Sequence, residues 1–181
     1  LVVPFAMMGP PTVMVEKLPN GSEAIDCLRK IEERLGRKVD AVIPAEIGGC
    51  NAAIPVVVAA RAGLPVVDGD GMGRAFPELQ MVTFSVYGCK ATPLVMTNEH
   101  GDSVVIESAS NHSAEMLARS VVMQMGGSAQ ICCYPMDGKT LKRVAIPGTL
   151  TLAREIGRAV ALGRKNGDPV GALLAFLATT D

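Results

Sequence analysis

A short apolar run, Leu64-Pro65-Val66-Val67, stops abruptly at Asp68-Gly69-Asp70-Gly71-Met72-Gly73-Arg74-Ala75-Phe76-Pro77-Glu78. Three acids, one arginine and three glycines share those last eleven positions. A valine-rich run of this length suits a buried strand, and the polar cluster marks its carboxyl edge. Upstream, Val39 to Pro44 reads as another strand and ends at Glu46-Ile47-Gly48-Gly49. Asn51 to Ala62 between them reads as a buried helix, with Asn51 as N-cap and Gly63 just past its end. Pro55 suits that helix only in its first turn. Strand, helix and strand in this order make a parallel, right-handed crossover. Such a unit places both polar loops side by side at one sheet edge, where open α/β sheets bind ligands.

The flanking segments fill out an α/β fold. Leu1 to Val3 reads as a strand that breaks at Gly9-Pro10-Pro11. From Ser22 to Leu35, the residues Ile25, Leu28, Ile31 and Leu35 form one apolar stripe that Gly36 ends. After Glu78 the pattern becomes β-rich: Gln80 to Tyr87, Pro93 to Thr97 and Ser103 to Glu107 are short and separated by turns. Asn98 to Asp102 resembles a hairpin loop. Ser113 to Met125 reads as a helix capped by Asn111 or Ser113, and Ala129 to Tyr134 as a strand. A helix from Thr149 or Thr151 to Leu162 and a last one opened by Asp168-Pro169 complete the chain. The expectation is a mixed sheet with a parallel crossover part followed by a β-rich part, in a single domain over residues 1–181.

With 49% apolar residues, ten methionines and no tryptophan, the core must be aliphatic and methionine-filled. Met7, Met8, Met72 and Met81 are expected to pack. A formal charge of −1 gives no electrostatic reason to expect nucleic acid or an anionic membrane as partner. The five cysteines are odd in number and match no zinc-site or CxxC spacing, which suits reduced thiols and a cytoplasmic setting.

Several side chains invite chemistry. Gly48 and Gly49 leave helix-start N–H groups free for an anion or a carbonyl oxygen. Arg74 either clamps a carboxylate or pairs with Glu78 four residues on. Asp68, Asp70 and Glu46 could hold a hard divalent cation, with His112 at a helix start as a further ligand. Cys50 suits packing beneath a helix better than nucleophilic attack, and His100 suits an exposed loop.

The string Val66 to Met81, VVDGDGMGRAFPELQM, together with Glu46 to Ala52 and Met8-Gly9-Pro10-Pro11-Thr12, resembles the S-methyl-thiohydantoin desulfurase-like family, which is associated with hydantoin utilisation. Family members are about twice as long, so the resemblance implies a central piece of their N-terminal domain. It also implies hydrolysis of a thiohydantoin carbon–sulfur bond, or of a related cyclic amide, with a small-molecule partner and no nucleotide cofactor. On that reading Asp68 or Asp70 is base or metal ligand, Glu46 a second acid and Asn51 an orienting donor. The Gly48-Gly49 turn or Arg74 meets the sulfur anion, Glu78 lines the binding site, and the protein works as a homo-oligomer. The competing expectations are a non-catalytic subunit or fragment that binds a metabolite or a partner, and a structural fragment with no activity of its own.

Overall fold

Strand β1 (Val2–Met8) shows why a two-sided sheet forms. Val3 and Phe5 are wholly buried on one face, while Val2, Ala6 and Met8 are buried on the other. A strand covered on both faces must alternate between two cores. In this computed structural model, which describes residues 1–180, five strands run in the order β2-β1-β6-β4-β5. They are β2 (Ala41–Pro44), β4 (Leu94–Thr97), β5 (Ser103–Ile106) and β6 (Ala129–Cys132) beside β1. Only β1 and β2 are parallel; β1–β6, β6–β4 and β4–β5 are antiparallel.

Two helices cover one face. Helix α2 (Glu23–Leu35) buries Cys27, Leu28 and Ile31, and α3 (Gly49–Ala62) buries Ile54, Val58 and Ala59 against Val3, Phe5, Val42 and Cys132. Each fully buried aliphatic side chain contributes about 2 kcal/mol. The opposite face is covered by α4 (Thr83–Val86), α5 (Asn111–Gln124) and α6 (Gly138–Val144), whose Phe84, Ala114, Ala118, Val122 and Leu141 join Ile43, Met96 and Ile131. A small antiparallel pair, β3 (Gly69–Asp70) with β7 (Ile146–Pro147), stands beside the main sheet. The short α1 (Pro11–Glu16) follows β1, and α7 (Thr149–Lys165) and α8 (Pro169–Leu177) form a helical hairpin at the end.

The expected α/β class and mixed sheet are present. Several elements differ in detail. Gln80 to Tyr87 is a turn and the four-residue helix α4, not a strand, with Phe84 driven into the core. Leu64 to Val67 reaches the sheet through a single parallel bridge, Val42 to Val66. The Val42 N–H donates to the Pro65 carbonyl and the Val67 N–H to the Val42 carbonyl, but Pro65 has no N–H of its own to extend the ladder. Helix α3 starts two residues earlier than its Asn51, and Pro55 lies inside it, buried; packing against the sheet outweighs the local cost. Helix α5 is capped by the Ser110 hydroxyl, which accepts the Ser113 N–H. Ser22 holds its N-cap position, yet its hydroxyl donates to Asp26. Met81 is 42% exposed rather than packed.

All five cysteines are free. Cys27 and Cys132 meet in the core with sulfurs 3.3 Å apart, and burial pushes the Cys132 thiol up. Cys50 is exposed. Among the described residues no helix is long and apolar enough to cross a membrane.

Candidate functional site

The carboxyl ends of the parallel pair β1 and β2 open into a cleft of about 170 Å³. It lies where the sheet changes from parallel to antiparallel, because β1 has β2 on one side and β6 on the other. Its polar lining is Glu46, Asn51, Glu78, Arg119 and Tyr134, and Met7, Met8, Met72, Phe76 and Cys133 lie among its apolar walls.

Glu46 is half-buried and held from two sides. Asn51 donates its amide to Oε1, and the Phe76 N–H donates to Oε2 at 3.2 Å. Asn51 is itself fixed: its Oδ1 accepts the Met7 N–H at 2.7 Å and its amide also reaches the Met7 carbonyl at 3.3 Å. The residue expected to cap α3 therefore clamps the end of β1 and sets the Glu46 carboxylate. Each Glu46 oxygen keeps lone-pair capacity for a ligand or a water.

Asp70 serves the backbone. It is wholly buried, and its Oδ2 accepts the N–H groups of Ile47, Met72 and Gly73 at 2.8–2.9 Å. The Gly71 N–H donates to the Ala45 carbonyl at 3.0 Å in the same seam. The two polar loops are thus adjacent, as the crossover requires, and one carboxylate joins them. A Cβ at Gly71 would stand 2.8 Å from the Phe84 ring, so only glycine allows this approach.

Asp68 points to a different task. It is exposed, its Oδ1 accepts the Thr151 N–H at 3.0 Å and its Oδ2 accepts the Thr151 hydroxyl at 2.6 Å. These Thr151 bonds hold its carboxyl below the usual range. Asp68 thus caps the first turn of α7 from another segment. Asp68→Ala should cost about 1 kcal/mol, as the loss of a helix cap does. Because the folded pKa is lowered, the deficit should be full above pH ~4 and fade as pH falls through the folded value. Urea melts of both proteins across that range check it.

Arg74 is exposed and makes no ion pair among the described residues; Pro77 keeps the segment to Glu78 from forming the helix that an Arg74–Glu78 pair needs. Glu78 accepts the Gln80 amide at the cleft wall. Gly48 and Gly49 open α3 and do not line the cleft. His112 is exposed on α5, and His100 is exposed beside Glu99. Among the described residues no three His, Cys, Asp or Glu side chains gather as a metal site would require, and Asp68, Asp70 and His112 do not form one donor set.

The sequence reading missed Arg119 and Tyr134. The Arg119 Nε donates to Glu115 Oε1 at 2.8 Å, and Nη2 donates to the same oxygen and to the Pro77 carbonyl at 2.9 Å. Glu115 is buried and also accepts the Leu79 N–H at 3.0 Å. The signal was an acid falling beside the apolar stripe Ala114-Ala118-Val122, with an arginine four residues on. Tyr134 has φ 51°, an uncommon value for a bulky residue. Its N–H donates to the Ala91 carbonyl, its hydroxyl to the Leu79 carbonyl at 3.2 Å, and its ring tilts against Phe84. Burial pushes its phenol up, so the ring stays neutral.

Two family descriptions match consecutive parts of the chain: the S-Me-THD-like N-terminal domain over residues 1–108 and the S-Me-THD-like C-terminal domain over residues 109–180. The junction falls between β5 and α5, yet β6 sits between β1 and β4, so the sheet and the cleft use both parts. A crystal structure of a protein from Chromobacterium violaceum is 31% identical, with a TM-score of 0.86. The match covers 99% of this chain and 50% of that one, so the chain spans half the length of its solved relative. No protein of curated function matches it.

Proposed function

We propose that this chain, which belongs to the S-Me-THD-like family, is a hydrolase domain that uses the Glu46 cleft to cleave a thiohydantoin or a related cyclic amide. The observation that carries this reading is a half-buried glutamate, fixed by Asn51, in the same cleft as an arginine that has an unused nitrogen. Arg119 Nη1 has no protein partner among the described residues.

The chemistry follows from those groups. Glu46 takes a proton from water as the water oxygen bonds to the thiocarbonyl carbon. The carbon–sulfur π pair moves onto sulfur, and the negative charge there is met by the Arg119 guanidinium. Collapse of the tetrahedral centre, with Glu46 handing its proton to the sulfur, breaks the carbon–sulfur bond, forms the carbonyl of a hydantoin and releases hydrosulfide. The remaining hydroxyl proton leaves to solvent, so one water yields one carbonyl and one hydrogen sulfide equivalent. Asp70 acts as a positioning residue, because it fixes the loop on which Glu46 stands. A soluble, cytoplasmic homo-oligomer is part of this proposal.

Incubating the protein with a panel of thiohydantoins and assaying sulfide and hydantoin tests it. Equimolar appearance of both is expected. A folded protein that binds these rings but releases neither product would support the second reading, a small-metabolite-binding module.

A further inference from the structure

Both oxygens of Glu115 are engaged, and each bond goes to a residue that lines the cleft. Oε1 accepts Arg119 Nε at 2.8 Å and also Nη2, while Oε2 accepts the Leu79 N–H at 3.0 Å. Glu115 does not line the cleft itself. It is 5% exposed, whereas the side chain of Arg119 is 44% exposed. Helix α5 covers the sheet with Ala114, Ala118 and Val122, so packing alone does not call for an acid beside them. A buried acid is kept where its pairing serves a purpose.

That pairing links the two charged groups on which the proposed chemistry depends. Arg119 Nη2 also donates to the Pro77 carbonyl at 2.9 Å, and the Tyr134 hydroxyl donates to the Leu79 carbonyl. At the other end of the same short backbone run, the Phe76 N–H donates to Glu46. The run Phe76–Leu79 therefore stretches from Glu46 to Glu115, with Arg119 attached between them. A guanidinium is planar and rigid, so holding its Nε–Nη2 edge fixes the direction of Nη1. Without that hold, a long side chain regains its rotamer freedom.

We infer that Glu115 is a positioning residue for the cleft: it holds the Arg119 guanidinium with Nη1 free for the ligand and fixes that cation relative to Glu46. This rests on the reading of the cleft as a hydrolytic site and adds the residue that orients its cation. Glutamine cannot replace Glu115. Its single oxygen can accept from Arg119 or from Leu79, and its amide then faces the other donor.

Steady-state kinetics on the thiohydantoin panel test the assignment. Glu115→Gln should lower kcat by about 10- to 100-fold, the effect of a misplaced group, with little change in KM, because the cation meets charge that develops only in the transition state. Circular dichroism gives the folded fraction in each assay. A merely structural role would lower the melting temperature and leave kcat per folded molecule unchanged. Arg119→Ala leaves the Glu115 carboxylate in place, so millimolar guanidinium chloride should restore part of its turnover; adding Glu115→Gln should abolish that rescue. If Glu115→Gln does not fold, the rescue of Arg119→Ala decides alone, and its absence would overturn the inference. Wild-type turnover beside an unchanged kcat in Glu115→Gln overturns this inference and leaves the hydrolytic reading standing. A wild type that releases no sulfide overturns both.

Discussion

Replacing Glu46 with Gln should lower thiohydantoin turnover by a factor on the order of a hundred or more, the usual effect of removing a positioned acid–base group. The fold should survive. Glu46 is half-buried at the mouth of the cleft, and its two oxygens accept from Asn51 and the Phe76 N–H. A glutamine oxygen can keep only one of these bonds. Asn51 cannot turn to help, because its own oxygen is committed to the Met7 N–H. The stability cost is therefore about 1 kcal/mol, the net worth of one hydrogen bond. In a chain of this length that lowers the melting temperature by about 2–4 °C. Steady-state kinetics beside a thermal melt separate the two effects. A Gln variant with near-normal turnover would remove Glu46 from the chemistry.

Asp70→Ala should produce the largest loss of stability at the site, about 3 kcal/mol, because it leaves three part-buried backbone donors without their acceptor at once. One oxygen of Asp70 accepts three backbone N–H groups from two loops, and the residue has no exposed surface. Asp70→Asn should be milder, at roughly 1–2 kcal/mol. The asparagine oxygen can take over the three bonds, and its amide would occupy the place of Oδ1, which has no partner. Denaturant melts of the two variants should fall in that order. If Asn proved as damaging as Ala, the negative charge rather than the acceptor geometry would be what the seam needs.

The crossover unit was legible because its apolar runs and glycine stops are local. Val42, Ile54 and Val58 fall on the expected strand and helix, and the loop after β2 meets Asp70 and Gly71 at the end of β3 as the topology demands. What local pattern does not carry is partner choice. The Asp-Gly-Asp-Gly string announces two carboxylates but not their direction, and the structure turns Asp70 to the backbone and Asp68 to α7. The placement of β6 between β1 and β4 depends on pairings across more than thirty residues, which no local periodicity encodes. Arg119 and Tyr134 enter the cleft through that non-local packing, so reading around Glu46 alone could not find them. Gln80 to Tyr87 misled for the opposite reason. Its apolar residues are β-formers, but Phe84 and Val82 are used by the core beneath a turn and α4, and tertiary burial overrides propensity.

The central claim is that the cleft between the ends of β1 and β2 is where a ring ligand binds. A crystal structure of the protein soaked with a hydantoin, the product analogue that is not consumed, tests this most directly. The account predicts the ring inside the cleft, with the carbonyl that replaces the thiocarbonyl within hydrogen-bond reach of Arg119 and its carbon facing Glu46. A ring bound elsewhere, or an empty cleft at ligand concentrations that shift the protein's melting temperature, would contradict it.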